Sequence, residues 1–238
     1  MHIAIKTGLA TFLLLAISCK KESTLRSAET TAQRSGSGDL ITEITGKYSS
    51  VWIGTQKWMT TNLDVSRYRN GDKIPQVKDP TKWAALTTGA WCWYNNDSTT
   101  GAVYGKLYNW FAVNDSRGLA PTGWHVPSNA EWDTLSAYLE NNVGGKLKDT
   151  GTVEAGTGLW HAPNFGATNE TGFMGLPGGY HSGIDGAFYV IGNDGYWWSS
   201  TENDTVNVWY RHLSYIYRKL GKKYSGKPNG LSVRCIKD

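Results

Sequence analysis

The sequence is poor in several things that common folds need. It has three cysteines, Cys19, Cys92 and Cys235, in 238 residues. A chain this long buries a sizeable core without disulfides or metals, as one domain or at most two. Charged residues are 18%, below the usual fraction of about 25%. Leucine is scarce, with 14 Leu against 12 Trp over residues 19–238. That argues against a helical bundle, which is built from Leu, Ala and Glu. Long Val/Ile runs are missing, which argues against a doubly wound parallel sheet. What the chain has instead is 12 Trp, 13 Tyr and 28 Gly, wide rings joined by glycine turns. Its 39% hydrophobic fraction excludes a wholly disordered chain.

One apolar stretch stands alone. It runs from Gly8 to Ser18, behind Lys6, and ends at Cys19. It is too short to span a bilayer and has the layout of a signal peptide. Leu15-Ala16-Ile17-Ser18-Cys19 resembles a bacterial lipobox, in which the Cys is acylated and begins the mature chain. Residues 1–18 are therefore expected to be a lipoprotein signal peptide. Residues 19–40 are expected to be the lipidated Cys19 and a polar, flexible tether. Lys20 is not the aspartate that favours inner-membrane retention, so a lipid-anchored outer-membrane location is expected. The membrane is then a partner through the anchor. Residues 41–238 are left as the folded domain.

The formal +4 charge belongs mostly to these leading segments. From Asp39 onward there are 19 basic and 18 acidic residues, a balance of +1. No nucleic-acid footprint remains. One local cluster does: Arg218, Lys219, Lys222 and Lys223, either a solvated hairpin or loop or an anionic-ligand patch.

Val51-Trp52-Ile53 reads as a strand, Gly54-Thr55-Gln56 as a turn and Lys57-Trp58-Met59 as the returning strand. Ala90 to Tyr94 is a further strand. Leu107, Trp110 and Phe111 suggest a short helix within Tyr104–Val113. Ser128-x-x-Glu131 is a capping box before Trp132, Leu135 and Leu139, one apolar stripe that Gly144-Gly145 should end. Tyr196 to Ser200, Val206 to Leu213 and Leu231 to Ile236 read as strands. The class is α+β, with one or two helices, many short antiparallel strands and long loops.

Several phrases recur in a fixed order. They include Ile53-Gly54-x-Gln56-x-Trp58-Met59, Tyr104-Gly105-Lys106-Leu107-Tyr108-Asn109-Trp110 and Gly123-Trp124-His125-Val126-Pro127-Ser128. Leu176-Pro177-Gly178-Gly179-Tyr180, Trp197-Trp198-Ser199-Ser200-Thr201 and Ser232-Val233-Arg234-Cys235-Ile236 follow. Over roughly residues 41–238 the chain resembles the Fibrobacter succinogenes major paralogous domain family, which is also abundant in Bacteroidetes lipoproteins. The resemblance implies a C-type lectin-like fold. The Gly123–Trp132 stretch also resembles the helix start of formylglycine-generating enzymes, which share that fold. It supplies no activity.

Catalytic patterns are weak. Cys92 and Cys235 are read as a structural disulfide, with two unpaired buried thiols as the alternative. His125, His161, His181 and His212 lack metal-ligand spacing. Ser199, His181 and Asp185 have no nucleophile elbow around them. The classical calcium lectin loop is missing its acid, since Lys227-Pro228-Asn229 carries Lys there. No cofactor is expected, and a structural calcium elsewhere stays open. Sugar stacking on rings needs no metal. Trp83, Trp160, Tyr189, Tyr215 and Tyr217 lie outside the shared phrases and are the ring candidates for it. Trp58, Trp110, Trp124, Trp132 and Trp198 lie inside them and are expected in the core. The expected function is non-catalytic display of a domain that binds a glycan, a fibre or a protein partner. The alternatives are a structural envelope component and an enzyme with a dispersed site.

Overall fold

Residues that favour extended backbone flank a glycine that turns at φ +61°, and the first hairpin follows. Strand β1 (Ser50–Ile53) pairs antiparallel with β2 (Gln56–Met59), with Ile53 opposite Gln56. The computed structural model describes residues 48–238. The expected signal peptide 1–18, the lipidation site Cys19 and the tether 19–40 lie outside the described residues.

The remaining strands are β3 (Trp91–Cys92), β4 (Leu107–Tyr108), β5 (Trp124–His125), β6 (Tyr180–His181), β7 (Phe188–Tyr189), β8 (Asp194–Glu202), β9 (Asn207–Ser214), β10 (Gly221–Gly226) and β11 (Ile236–Lys237). The helices are α1 (Pro80–Ala84), α2 (Ser98–Tyr104), α3 (Trp110–Val113), α4 (Asn129–Leu139) and α5 (Val143–Leu147). Four strands form one sheet in the order β1-β2-β11-β5, and three form another in the order β10-β9-β8. Pairs β3-β4 and β6-β7 are short ribbons. All these strand pairs are antiparallel. The protein is thus a mixed fold of few helices and several short antiparallel sheets.

Helix α4 forms where the capping box lies. The Ser128 side chain accepts from the Glu131 N–H, and Glu131 accepts from the Ser128 N–H (2.7 Å). Trp132, Leu135 and Leu139 are its buried face. Three details differ from expectation. Within Tyr104–Val113 the expected helix covers only Trp110–Val113, which the Asn109 side chain caps by accepting from the Ala112 N–H, while Tyr104 ends α2 and Leu107 lies in β4. Gly144 and Gly145 lie inside α5, while α4 already stops at Glu140, whose φ is +56°. Of Leu231 to Ile236 only Ile236 joins a ladder, and Leu231 and Ser232 make single bridges to Tyr108 and Trp197.

The expected disulfide is not formed. Cys92 and Cys235 are both free, and they sit in different apolar clusters. Cys92 packs with Trp83 and Leu107, and Cys235 with Met59 and Val233. Burial among apolar neighbours makes each thiol a small hydrophobe rather than half of a bridge. A third cluster gathers Trp58, Trp132, Phe173 and Trp197, with the Trp58 and Trp132 rings 4.6 Å apart.

Arg234 crosses this interior. It is fully buried, and donates to Met59 O (3.0 Å), Phe173 O (2.5 Å) and Asn62 Oδ1 (2.9 Å). Asn62 Oδ1 also accepts from Trp197 Nε1 (2.8 Å), which ties β8 to the segment after β2. No described helix is long and apolar enough to cross a membrane.

Candidate functional site

The five rings expected at the surface divide. Trp83 and Trp160 are fully buried, both at 0% exposure. Each indole N–H has found a backbone carbonyl: Trp83 Nε1 donates to Pro228 O (2.9 Å) and Trp160 Nε1 to Gly175 O (3.0 Å). With the polar edge satisfied inside, nothing holds the ring at the surface. Both residues belong to the core and are not stacking platforms. Tyr215 is half-buried against the tryptophan-rich cluster. Tyr189 and Tyr217 are exposed, at 38% and 58%. No ring contact joins Tyr189 to Tyr215 or Tyr217 among the described residues.

Tyr189 instead ends a row of rings. It lies opposite Tyr180 across the β6-β7 ribbon, with the rings stacked at 5.3 Å. The bridge between Gly179 and Gly195 brings that ribbon to β8. Tyr180 then meets Tyr196 edge to face at 5.4 Å. Tyr196 lies opposite His212 in the β8-β9 ladder and stacks on it at 5.9 Å. Two residues along β9 in the same ladder, Tyr210 meets Tyr196 edge to face at 5.7 Å. Alternation along a strand explains why these rings share one face. Gly221 opposite His212 makes the room: a Cβ there would come within 2.0 Å of the imidazole. All these rings are partly exposed, so the row forms an open rim over the core.

Polar groups border the row. Tyr189 Oη donates to Asp185 Oδ2 (2.6 Å), and Tyr196 Oη to Asp194 Oδ2 (3.0 Å). Asp194 Oδ1 and His212 Nδ1 are buried beneath the rings, with no hydrogen-bond partner among the described residues. Burial, then Asp194, pushes the Tyr196 phenol far above its ordinary range. Tyr180 and Tyr210 are raised as well, by burial first. Donated hydrogen bonds, that of Tyr189 first, hold the Asp185 carboxyl down at about 2. Burial and Lys223 lower His212, so its imidazole is neutral at pH 7. The rim presents neutral ring faces, phenol donors and fixed acceptors.

A cysteine and a histidine do meet, in the interior. Cys92 Sγ lies 3.3 Å from His181 Nδ1, while His181 Nε2 donates to Gly186 O (2.9 Å). That bond leaves Nδ1 as the acceptor and the thiol as the donor. Burial drives the thiol far up and the imidazole down to about 4. A nucleophilic pair needs the opposite shifts, a depressed thiol beside a basic imidazole. Ser199 is buried and its Oγ accepts from the Thr201 N–H, and neither His181 nitrogen is bonded to Ser199 or Asp185. The imagined triad is therefore not assembled. His125 is gripped on both sides, by Glu131 (2.6 Å) and Asp238 (2.7 Å). Burial works against its charge, yet the two carboxylates raise its pKa overall. No group of three His, Cys, Asp or Glu placed to hold a metal ion occurs among the described residues. A shallow cleft of about 530 Å³ lies between the β1-β2 turn and α4, beside the exposed Tyr138.

Residues 51–237 match the family model described as Fibrobacter succinogenes major domain. The chain belongs to this family. No curated protein and no solved structure matches it. In this Fibrobacter succinogenes major domain the shared phrases build the interior. Trp58, Trp110, Trp132 and Trp198 are buried as expected, while Trp124 is only partly covered, under Lys237. Tyr180 closes a shared phrase, but Tyr189, Tyr196, Tyr210 and His212 lie outside the phrases. Most of the row thus comes from residues outside those phrases. Its one trace in the sequence is ring spacing of two, at Tyr196/Trp198 and Tyr210/His212.

Proposed function

We propose that this protein is a lipid-anchored, non-catalytic component of the outer membrane whose domain binds a glycan through the tyrosine row. The lipobox ending at Cys19 supports the anchor, and the polar residues that follow it support a tether to the domain. A C-type lectin-like fold is part of the proposal. It is supported by the helix-start phrase before α4 and by the last strand, β11, lying between β2 and β5.

The row itself carries the reading. A pyranose has one face of C–H groups that lies on a ring, and hydroxyls at its edge that need partners. Tyr180, Tyr189, Tyr196 and Tyr210 supply ring faces and edges. The exposed Asp185 carboxylate beside Tyr189 supplies an acceptor at one end of the row. Binding of this kind needs no cofactor. The test is retention of the full-length Cys19→Ala chain on a panel of immobilised polysaccharides. A paired Tyr180→Ala and Tyr189→Ala variant should bind about tenfold more weakly, the upper range for one ring contact. Failure to bind any polysaccharide, or undiminished binding by the paired variant, refutes the proposal.

A further inference from the structure

Two loops distant in sequence meet over one buried side chain. Lys148, just after α5, is fully buried. Its ammonium donates to Phe165 O (3.0 Å), Ser214 O (3.0 Å) and Tyr217 O (3.1 Å). Three N–H donors meet three carbonyls, so the group is saturated without a carboxylate. Oxygens bound to one nitrogen are near neighbours, so the Phe165 and Tyr217 loops abut. The Phe165 N–H also donates to Tyr215 O (2.7 Å), and the Arg218 guanidinium lies over the Phe165 ring at 4.4 Å.

The junction displays what a soluble surface normally hides. Phe165, Ile216 and Tyr217 are 46%, 41% and 58% exposed. Arg218 and Lys219 beside them are exposed. No ion pair among the described residues reaches either cation. Such a patch has two unmet demands, apolar burial and anions. A neutral glycan meets neither, since Ile216 gains nothing from hydroxyls and the cations stay unanswered. A bilayer with anionic headgroups meets both. Tyrosine suits the headgroup level, isoleucine and phenylalanine the acyl boundary, and Arg and Lys the phosphates.

We propose that the loop junction 163–166 with 214–219 is a membrane-contact surface that lies on the headgroup region of an anionic bilayer. It shares no residue with the tyrosine row and does not depend on acylation. The test uses the full-length Cys19→Ala chain, which has no anchor, with vesicles. One set is phosphatidylcholine alone, and the other contains equal parts of phosphatidylglycerol. The chain should sediment with the anionic vesicles and not with the neutral ones, and should be released near 1 M salt, where the Debye length is about 3 Å. Paired Arg218→Ser and Lys219→Ser changes should weaken the partition roughly 25-fold, about fivefold per cation. Paired Ile216→Ser and Tyr217→Ser changes should weaken it about tenfold or more. Ile184→Ser, at the most exposed large apolar residue and outside the junction, should leave it unchanged. Equal sedimentation with both vesicle types, none with either, or full binding by the junction variants overturns the proposal. So does a loss with Ile184→Ser as large as the junction losses.

Discussion

Replacing Lys148 by methionine tests the physics of the junction directly. Burial lowers the Lys148 pKa from its ordinary 10.5 to about 8. The native protein therefore releases this proton at about pH 8, and the unfolded chain releases it near 10.5. Between those values the unfolded chain holds more protons, so stability rises with pH. The gap corresponds to about 3 kcal/mol, at about 1.4 kcal/mol per unit. That stability is fully present above the unfolded pKa and is lost as pH falls through the folded one. At pH 7 the methionine variant loses the donor to three carbonyls, at about 1–3 kcal/mol each, and is relieved of the buried charge. The net is a destabilisation of about 2–4 kcal/mol. The clean observable is the pH dependence. Urea unfolding of parent and variant from about pH 7 to about pH 10 should show the parent's advantage growing by most of 3 kcal/mol. Other titrating groups are common to both chains and cancel in the difference. Parallel curves would mean that the ammonium is not desolvated, and a shrinking advantage would mean that the sign is wrong.

Two further outcomes follow from the site and the core. Gly221→Ala puts a methyl within 2.0 Å of the His212 ring, so the imidazole must leave its stack on Tyr196. It should cost about 1–3 kcal/mol and reduce polysaccharide retention; a thermal melt and a binding curve that both match the parent would remove the packing role given to this glycine. In the Cys19→Ala chain, dithionitrobenzoate should find no reactive thiol in the native state and two after denaturation. Burial holds Cys235 up at about 12 and Cys92 higher still. Loss of both thiols in the denatured, unreduced chain would show a disulfide, and rapid native labelling would show an accessible cysteine.

The elements legible in the sequence are those fixed by neighbouring residues. The β1-β2 hairpin depends on Gly54 between two extended runs, and α4 depends on Ser128 and Glu131 three residues apart. Both signals act within a few positions. The location of Trp83 and Trp160 depends on Pro228 and Gly175, remote carbonyls that satisfy the indole N–H. Lying outside a shared phrase does not mean lying outside the core. The tyrosine row was hidden for a related reason. Along Tyr196-Trp197-Trp198 rings alternate between faces, and only the pairing of β8 with β9 and the approach of β6 decide which of them meet. The basic cluster, open between a hairpin and an anion site, divides by strand position. Lys222 and Lys223 stand on β10, and Lys222 is paired with Asp133 (2.8 Å), whereas Arg218 and Lys219 stay in the loop before it.

Two of the buried cations, Arg234 and Lys148, answer a problem that this loop-rich architecture creates. Sheets satisfy their carbonyls through ladders, but most strands here are two to four residues long, and long stretches have no ladder. A buried carbonyl without a donor is costly, so something must reach it. Arg234 and Lys148 do this for different sets. The guanidinium fork spreads over Met59, Phe173 and Asn62, and the ammonium gathers Phe165, Ser214 and Tyr217. A carboxylate partner would occupy the very donors that the carbonyls need. That explains why neither cation is paired with an acid among the described residues. Each works as a polar cross-link between segments distant in sequence. Such a cross-link can fix an irregular loop in one shape, and only fixed loops can hold rings and charges out at a defined surface. At these two positions charge serves interior carbonyls that no ladder reaches.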